Sequence, residues 1–304
     1  MHLTSEHKSI STEPVFGAHI TRILAVFVLS LGILLNTACS AVMSSVTANL
    51  ADGLSAAILN NDDLEVVRDG APAYLILLDG LVQQSPDNVS LLGAAASLNS
   101  AYAAAFVEDD ARIQAFSEKS FAYARRAACV EIKAACNPRQ QAFDEFEIWV
   151  ARINLKQVPI AYSLATSWAG WIQANTDDWN AIAELSRVKT LMSRINTLDE
   201  SYDYGGPQMY LGVFETILPP GLGGRPEIGR KYFERAIELS GGTHMLSKVI
   251  FAQQYARLVF DQQLHDNLLN EVLSGDPAVE GITLLNKVAQ LQARKLLDSS
   301  PEYF

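Results

Sequence analysis

Along most of the chain apolar side chains recur every three or four residues, with polar ones between them. The stretches "APAYLILLDGLVQQSPDN", "SLLGAAASLNSAYAAAF" (Ser90–Phe106) and "DDARIQAFSEKSFAYARRAACVEI" each read as one helix. In the last, Ile113, Phe116, Phe121 and Ala124 lie near one face. The same reading predicts helices over Arg139–Ile153, Tyr162–Ala174, Trp179–Asn196, Pro226–Leu239, Met245–Phe260, Gln263–Leu273 and Leu284–Leu297. Within Met245–Phe260, the residues Ala252, Tyr255, Ala256 and Val259 fall at i, i+3, i+4 and i+7, a stripe expected to face a core. No β-branched run alternates and no Asn-Gly pair marks a hairpin, so strands are not expected. The pattern predicts an all-α fold.

Turns are written into the sequence as "SPDN", "CNPR", "SGGT" and "GDPA", each short and each between stretches of helical length. Helix pairs with short turns and small residues at their contacts are the mark of a tetratricopeptide-like array. "GRKYFERAIELSGG" fits best, with Tyr232, Phe233, Ala236 and Ile237 as its packing face. The period is irregular: Pro86 and Pro138 are 52 residues apart, against about 34 in the consensus repeat. No Gly/Ser linker or low-complexity stretch divides the chain. The expectation is therefore one irregular helical-hairpin domain filling the mature chain, residues 39–304.

The first 38 residues differ. Arg22 precedes "ILAVFVLSLGILL", 13 largely apolar residues from Ile23 to Leu35. That is short of the roughly 20 needed to cross a bilayer but suits a secretory signal. "NTACS" follows and resembles a bacterial lipobox, which would make Cys39 the lipidated first residue of the mature protein; Asn36 stands where such motifs carry Leu. Export changes the reading of the other two cysteines, Cys129 and Cys136, which an oxidising compartment allows to pair. Seven residues of intact helix would separate them by about 10.5 Å, too far for a disulfide. Pairing requires the helix to end between them, and "KAACNP" supplies such an end; two small buried side chains are the alternative.

Charge and motifs remove several functions. The net charge is −11 and no basic run of five occurs, which excludes nucleic acid as the main partner. No nucleophile elbow or reactive cysteine–histidine pattern is present, so no enzyme is expected, and no cofactor motif appears. Asp261 and His265 are spaced i, i+4, but further metal ligands are missing and a surface charge pair is the expectation. "GRPEIGRK" fails as a phosphate loop because Arg230-Lys231 replaces Lys-Ser/Thr and no strand precedes it. Pro226 and Glu227 instead suit a first helical turn. Asp109-Asp110 and Asp177-Asp178 are expected to cap helices.

One segment breaks the helical pattern. Residues 202–226 hold six of the 18 glycines (205, 206, 212, 221, 223 and 224) together with Pro207, Pro219, Pro220 and Pro226. A regular helix is not expected through them. Their Tyr204, Tyr210, Phe214, Ile217 and Leu222 need cover, either as plugs in the core or along a ligand cavity. The cavity reading makes Tyr204, Gly205, Gly206, Tyr210, Phe214 and Leu222 its lining, with Lys248, Tyr255, Arg257 and Asp261 as its polar part.

"YGGPQMYLGVFETILPPGLGGRPEIGRKYFERAIELSGG" also carries a family likeness. With "DGAPAYLILLDGLVQQSPDN", "SAYAAAFVEDDARI", "YARLVFDQQLHDNLLNEVL" and "LLNKVAQLQARKLLDSSPEYF", it resembles the T component of TRAP transporters. The resemblance implies a non-enzymatic periplasmic lipoprotein with tetratricopeptide-like repeats, anchored to a bacterial membrane, the outer one first. It implies association with a solute-binding P component, delivery of a small hydrophobic or carboxylate ligand, and a homotrimer pierced by pores. A scaffold that docks proteins and has no ligand cavity is the alternative, since repeat surfaces serve recognition generally.

Overall fold

A computed structural model of the chain describes residues 53–218 and 220–304. Cys39 and the expected signal segment lie outside the described residues, as does the side chain of Leu222. The described chain is helical, with no strands among the described residues.

The helices are α1 (Leu64–Gln84), α2 (Val89–Phe106), α3 (Asp110–Glu131), α4 (Phe143–Ala151), α5 (Val158–Gln173), α6 (Trp179–Ala183), α7 (Leu185–Leu198), α8 (Tyr202–Thr216), α9 (Pro226–Leu239), α10 (Met245–Phe251), α11 (Gln262–Ser274), α12 (Thr283–Asp298) and α13 (Ser300–Tyr303). Starts are set by short acidic or amide side chains that satisfy free amides of the first turn. Asp63, Asn88, Asp109, Asp178 and Asp261 accept from Glu65, Leu91, Arg112, Asn180 and Leu264 respectively.

Packing is mostly between neighbours in sequence: α1 on α2, α2 on α3, α3 on α5, α5 on α7, α7 on α8, α8 on α9, and α10 on α11 and α12. Among the described residues three large apolar cores follow one another, and a smaller one joins the last hairpin to the first. Tyr74, Leu78, Leu91 and Leu92 form the first. Phe121, Phe146, Trp149, Trp168, Leu191 and Ile195 form the second, and Phe233, Val249, Phe251, Leu269 and Ala289 the third. The alanines of α2 let α1 and α3 approach it closely; Ala95 and Ala96 are fully buried. By length and composition α2 is apolar enough to cross a membrane, but it lies packed between α1 and α3. The last hairpin returns to the first: Leu284 of α12 packs on Val67 and Ala71 of α1, and the Gly281 amide donates to Asn60 Oδ1 at 2.6 Å.

Several expected boundaries move for local reasons. The helix expected from Arg139 begins only at Phe143, because Arg139 is drawn to Glu184 and Gln141 donates to the Ala134 carbonyl of the preceding turn. The helix expected over Trp179–Asn196 divides at Glu184, whose carboxylate takes bonds from Arg139 Nε (2.8 Å) and Trp168 Nε1 (2.7 Å). The helix expected over Met245–Phe260 opens into a π-turn at Ala252–Ala256 and stops at Phe260, which has φ of 56°. That extra residue per turn keeps Ala252, Tyr255 and Ala256 buried but rotates Val259 out of the stripe to solvent.

Candidate functional site

The breaker segment is more helical than its composition predicts. Its entry holds three consecutive left-handed residues, Asp203, Tyr204 and Gly205 (φ 48°, 58° and 80°). Two of them lack the freedom of glycine, at a cost of about 1–2 kcal/mol each. Tertiary contacts hold them there. The Tyr204 hydroxyl donates to the Glu280 carbonyl at 2.8 Å, and its ring stacks on His244 with centroids 6.4 Å apart. The Tyr162 hydroxyl is bonded to the Asp203 carboxylate; burial, then that negative charge, pushes the Tyr162 pKa well above its ordinary value. Beyond the kink, Pro207 occupies the first turn of a new helical run, where a missing N–H costs little.

The glycines in this segment serve contact as well as bending. A Cβ on Gly212 would lie 2.8 Å from the Phe233 ring, and one on Gly229 of α9 would lie 2.6 Å from Thr216 Cγ2 and 3.0 Å from the Gly212 carbonyl. The two helices therefore meet backbone to backbone. The loop after α8 is tied by Glu215, which is 3% exposed. Arg225 donates to both its carboxylate oxygens (2.7 and 2.6 Å), and Lys189 lies 2.7 Å away. Burial alone would raise the Glu215 pKa; the bonds from Arg225 and Lys189 outweigh it and hold the carboxyl below its usual value.

The residues expected to line one cavity are distributed over several sites. Tyr210 packs on Tyr162 and Phe214, with ring centroids 6.2 and 6.5 Å away, and burial pushes its pKa up to about 12. Gly205 and Gly206 are buried against α9 and Tyr162. Lys248 pairs with Glu271 at 2.8 Å. Tyr255 donates to Glu227 at 3.0 Å. Arg257 reaches Ser299 at 2.7 Å and lies over the Tyr303 ring. Asp261 caps α11. The expectation of a surface Asp261–His265 pair is corrected: His265 is 0% exposed and is bonded to Asp266 and Arg257. Among the described residues no cluster of His, Cys, Asp and Glu is placed to hold a metal ion.

Among the described residues two cavities stand out, and neither is lined by those of the segment 202–226. One, between α1, α2 and Leu284, is apolar and encloses about 10 Å³, the space of a single water. The other, about 270 Å³, lies between α3 and the loop after it and is lined by Glu118, Phe121, Ala122, Arg125, Asn137, Pro138, Arg139 and Gln140. That loop is fixed covalently. The α3 helix ends at Glu131, a 3-10 turn runs over Lys133–Cys136, and Cys129 and Cys136 form a disulfide with Cα atoms 4.3 Å apart. Arg125 Nη1 donates to the Cys136 carbonyl at 2.8 Å. Arg139 is held by Glu184 and lies 3.9 Å over the Trp171 ring, while Trp171 Nε1 donates to Glu118 at 2.5 Å.

The sequence points to the cysteine pair but not to this pocket. Arg125 falls within one expected helix and Arg139 at the start of the next, where the "CNPR" turn ends. Only the return of the loop along α3 brings them together.

The architecture is thus that of an all-α protein built from consecutive helical hairpins, with a small polar cavity beside a disulfide-bonded loop. Residues 60–304 match the sequence model of the family described as TRAP transporter T-component, and the chain belongs to that family. Comparison with curated proteins gives no match. The family is one of transporter accessory subunits rather than of enzymes, which associates the protein with a TRAP transport system at the membrane or in the periplasm.

Proposed function

We propose that the protein is exported, lipidated at Cys39 and anchored to a bacterial membrane, where it associates with the solute-binding P component of its TRAP system and helps deliver a small hydrophobic or carboxylate ligand. The observation that carries the reading is the family match over residues 60–304. The Cys129–Cys136 disulfide supports it, because such bonds persist in oxidising compartments such as the periplasm. Tetratricopeptide-like stacking of the hairpins and a homotrimer belong to the same proposal.

The test is direct. The purified chain is expected to bind the P component in pull-down and calorimetry, and native mass spectrometry is expected to give the trimer mass. Fatty-acid labelling of the wild type, lost in Cys39→Ala, tests the anchor. A monomer that ignores the P component and stays unlabelled would overturn the proposal. One observation favours the second reading, a docking scaffold with no ligand cavity: the rings of Tyr204 and Tyr210 are engaged with His244, Tyr162 and Phe214. On that reading the P component binds, but no small molecule does.

A further inference from the structure

We propose that the cavity between α3 and the disulfide-bonded loop binds a small monocarboxylate, with the Arg125 guanidinium as its anchor. The inference rests on the reading above that this subunit handles a small ligand, and it gives that ligand a charge and a place away from residues 202–226.

Arg125 is the feature that points to an anion. The chain carries a net charge of −11, yet this cavity-lining arginine forms no ion pair among the described residues. A guanidinium offers five N–H donors in a planar fork. One is spent on the Cys136 carbonyl, which orients the plane and leaves the others for a carboxylate. Arg139, by contrast, is already committed to Glu184 and to the face of Trp171, so it forms a fixed wall whose charge is matched. Phe121 and Ala122 supply apolar surface, and the exposed Asn137 and Gln140 supply amides at the rim.

Charge and size select the class. Arg139 is matched by Glu184 and Glu118 accepts from Trp171, so Arg125 brings the one guanidinium of the lining without an ion pair among the described residues, which suits a monoanion better than sulfate or phosphate. A volume of about 270 Å³ is at the low end for ligand pockets, which run from about 300 Å³ upward, so a ligand with a short apolar body fits. The disulfide is part of the site because it fixes the carbonyl that orients Arg125 and the wall from Asn137 to Gln140.

Calorimetry of the oxidised full-length chain with butyrate, butyramide and sulfate tests this. Butyrate is expected to bind saturably and butyramide not at all. Arg125→Gln is expected to weaken butyrate about tenfold or more, and Arg112→Gln, an exposed arginine on the same helix, to leave it unchanged. Arg125→Lys, which keeps the charge and loses the fork, is expected to fall between them, and reduction of the disulfide to weaken binding. Circular dichroism confirms that each variant is folded; if Arg125→Gln is not, Arg125→Lys carries the test. No butyrate binding by the folded oxidised chain, binding indifferent to both Arg125 variants, or sulfate binding as tight as butyrate would overturn the proposal. The P-component pull-down on the same preparations separates the two readings. Partner binding without butyrate binding removes the pocket alone; butyrate binding without partner binding removes the accessory role and leaves the pocket.

Discussion

Replacing Gly212 by alanine tests whether the glycines of the breaker segment exist for helix–helix contact. In an exposed helix interior the change stabilises by about 1 kcal/mol, because alanine restricts the unfolded chain and glycine does not. Here the new methyl would sit 2.8 Å from Phe233 Cε1 and 2.9 Å from Cδ1 and Cζ. Carbon atoms prefer about 3.5–4.0 Å, so the ring must retreat by about 0.7 Å or more. It has little room to move: Phe233 is fully buried and its ring stacks on Phe251, centroid to centroid 5.2 Å. Overpacking of this kind costs about 1–3 kcal/mol. At about 2 kcal/mol, less the propensity gain, Gly212→Ala is destabilised by about 1 kcal/mol and melts about 2–4 °C lower. Gly80 of α1 is the control, since a Cβ there meets nothing within 4 Å. Gly80→Ala is expected to melt about 1–4 °C higher. Thermal melts followed by circular dichroism at 222 nm read both. The double variant Gly212→Ala/Phe233→Leu should recover part of the loss, giving a coupling energy in a mutant cycle. If Gly212→Ala melts above wild type, as Gly80→Ala should, the close approach of α8 and α9 is not what that glycine serves.

Other predictions follow from the same contacts. Gly229→Ala should also lower the melting temperature, because its methyl would meet Thr216 and the Gly212 carbonyl. Tyr210→Ala should cost about 2–4 kcal/mol, seen in urea melts, with P-component binding retained by the folded fraction; lost binding at unchanged stability would give Tyr210 an interface role instead. His244 is buried and its pKa is lowered, chiefly by burial and against the pull of Asp203. The unfolded chain therefore takes up its proton first as pH falls, so stability should drop once pH goes below about 6.5, and His244→Gln should flatten that drop between pH 6.5 and 5. Glu215→Gln should destabilise by about 1–2 kcal/mol at pH 7, a modest value because Arg225 is 56% and Lys189 34% exposed and both can turn to water. With the Glu215 pKa held low, that contribution is present above about pH 4.5 and fades as pH falls through the lowered value; a constant difference down to pH 2 would refute it.

The helices were legible because each is specified locally. The 3.6-residue spacing of apolar positions, aspartates and asparagines at the caps, and prolines at first turns need no knowledge of the rest of the chain. The acidic pairs at Asp109 and Asp178 do cap helices, and Pro226 does open one. The division at Glu184 was not legible, because its causes are Arg139 and Trp168 on other elements. Nor was the left-handed turn at Asp203 and Tyr204, where Glu280, 76 residues away, and Tyr162 hold a backbone those residues would not adopt alone.

The sequence by itself determined that this is a helical protein of the T-component family, since periodicity, caps and family phrases are all short-range or linear properties. Only the tertiary structure decided what the breaker segment does and where a ligand has room. Glycine content reads the same whether it bends a loop or lets two helices touch, and the difference lies in Phe233 and Thr216 across the interface. The arginine-lined cavity likewise exists because a disulfide folds one loop back along α3 and brings Arg139 to Arg125 from 14 residues away in sequence.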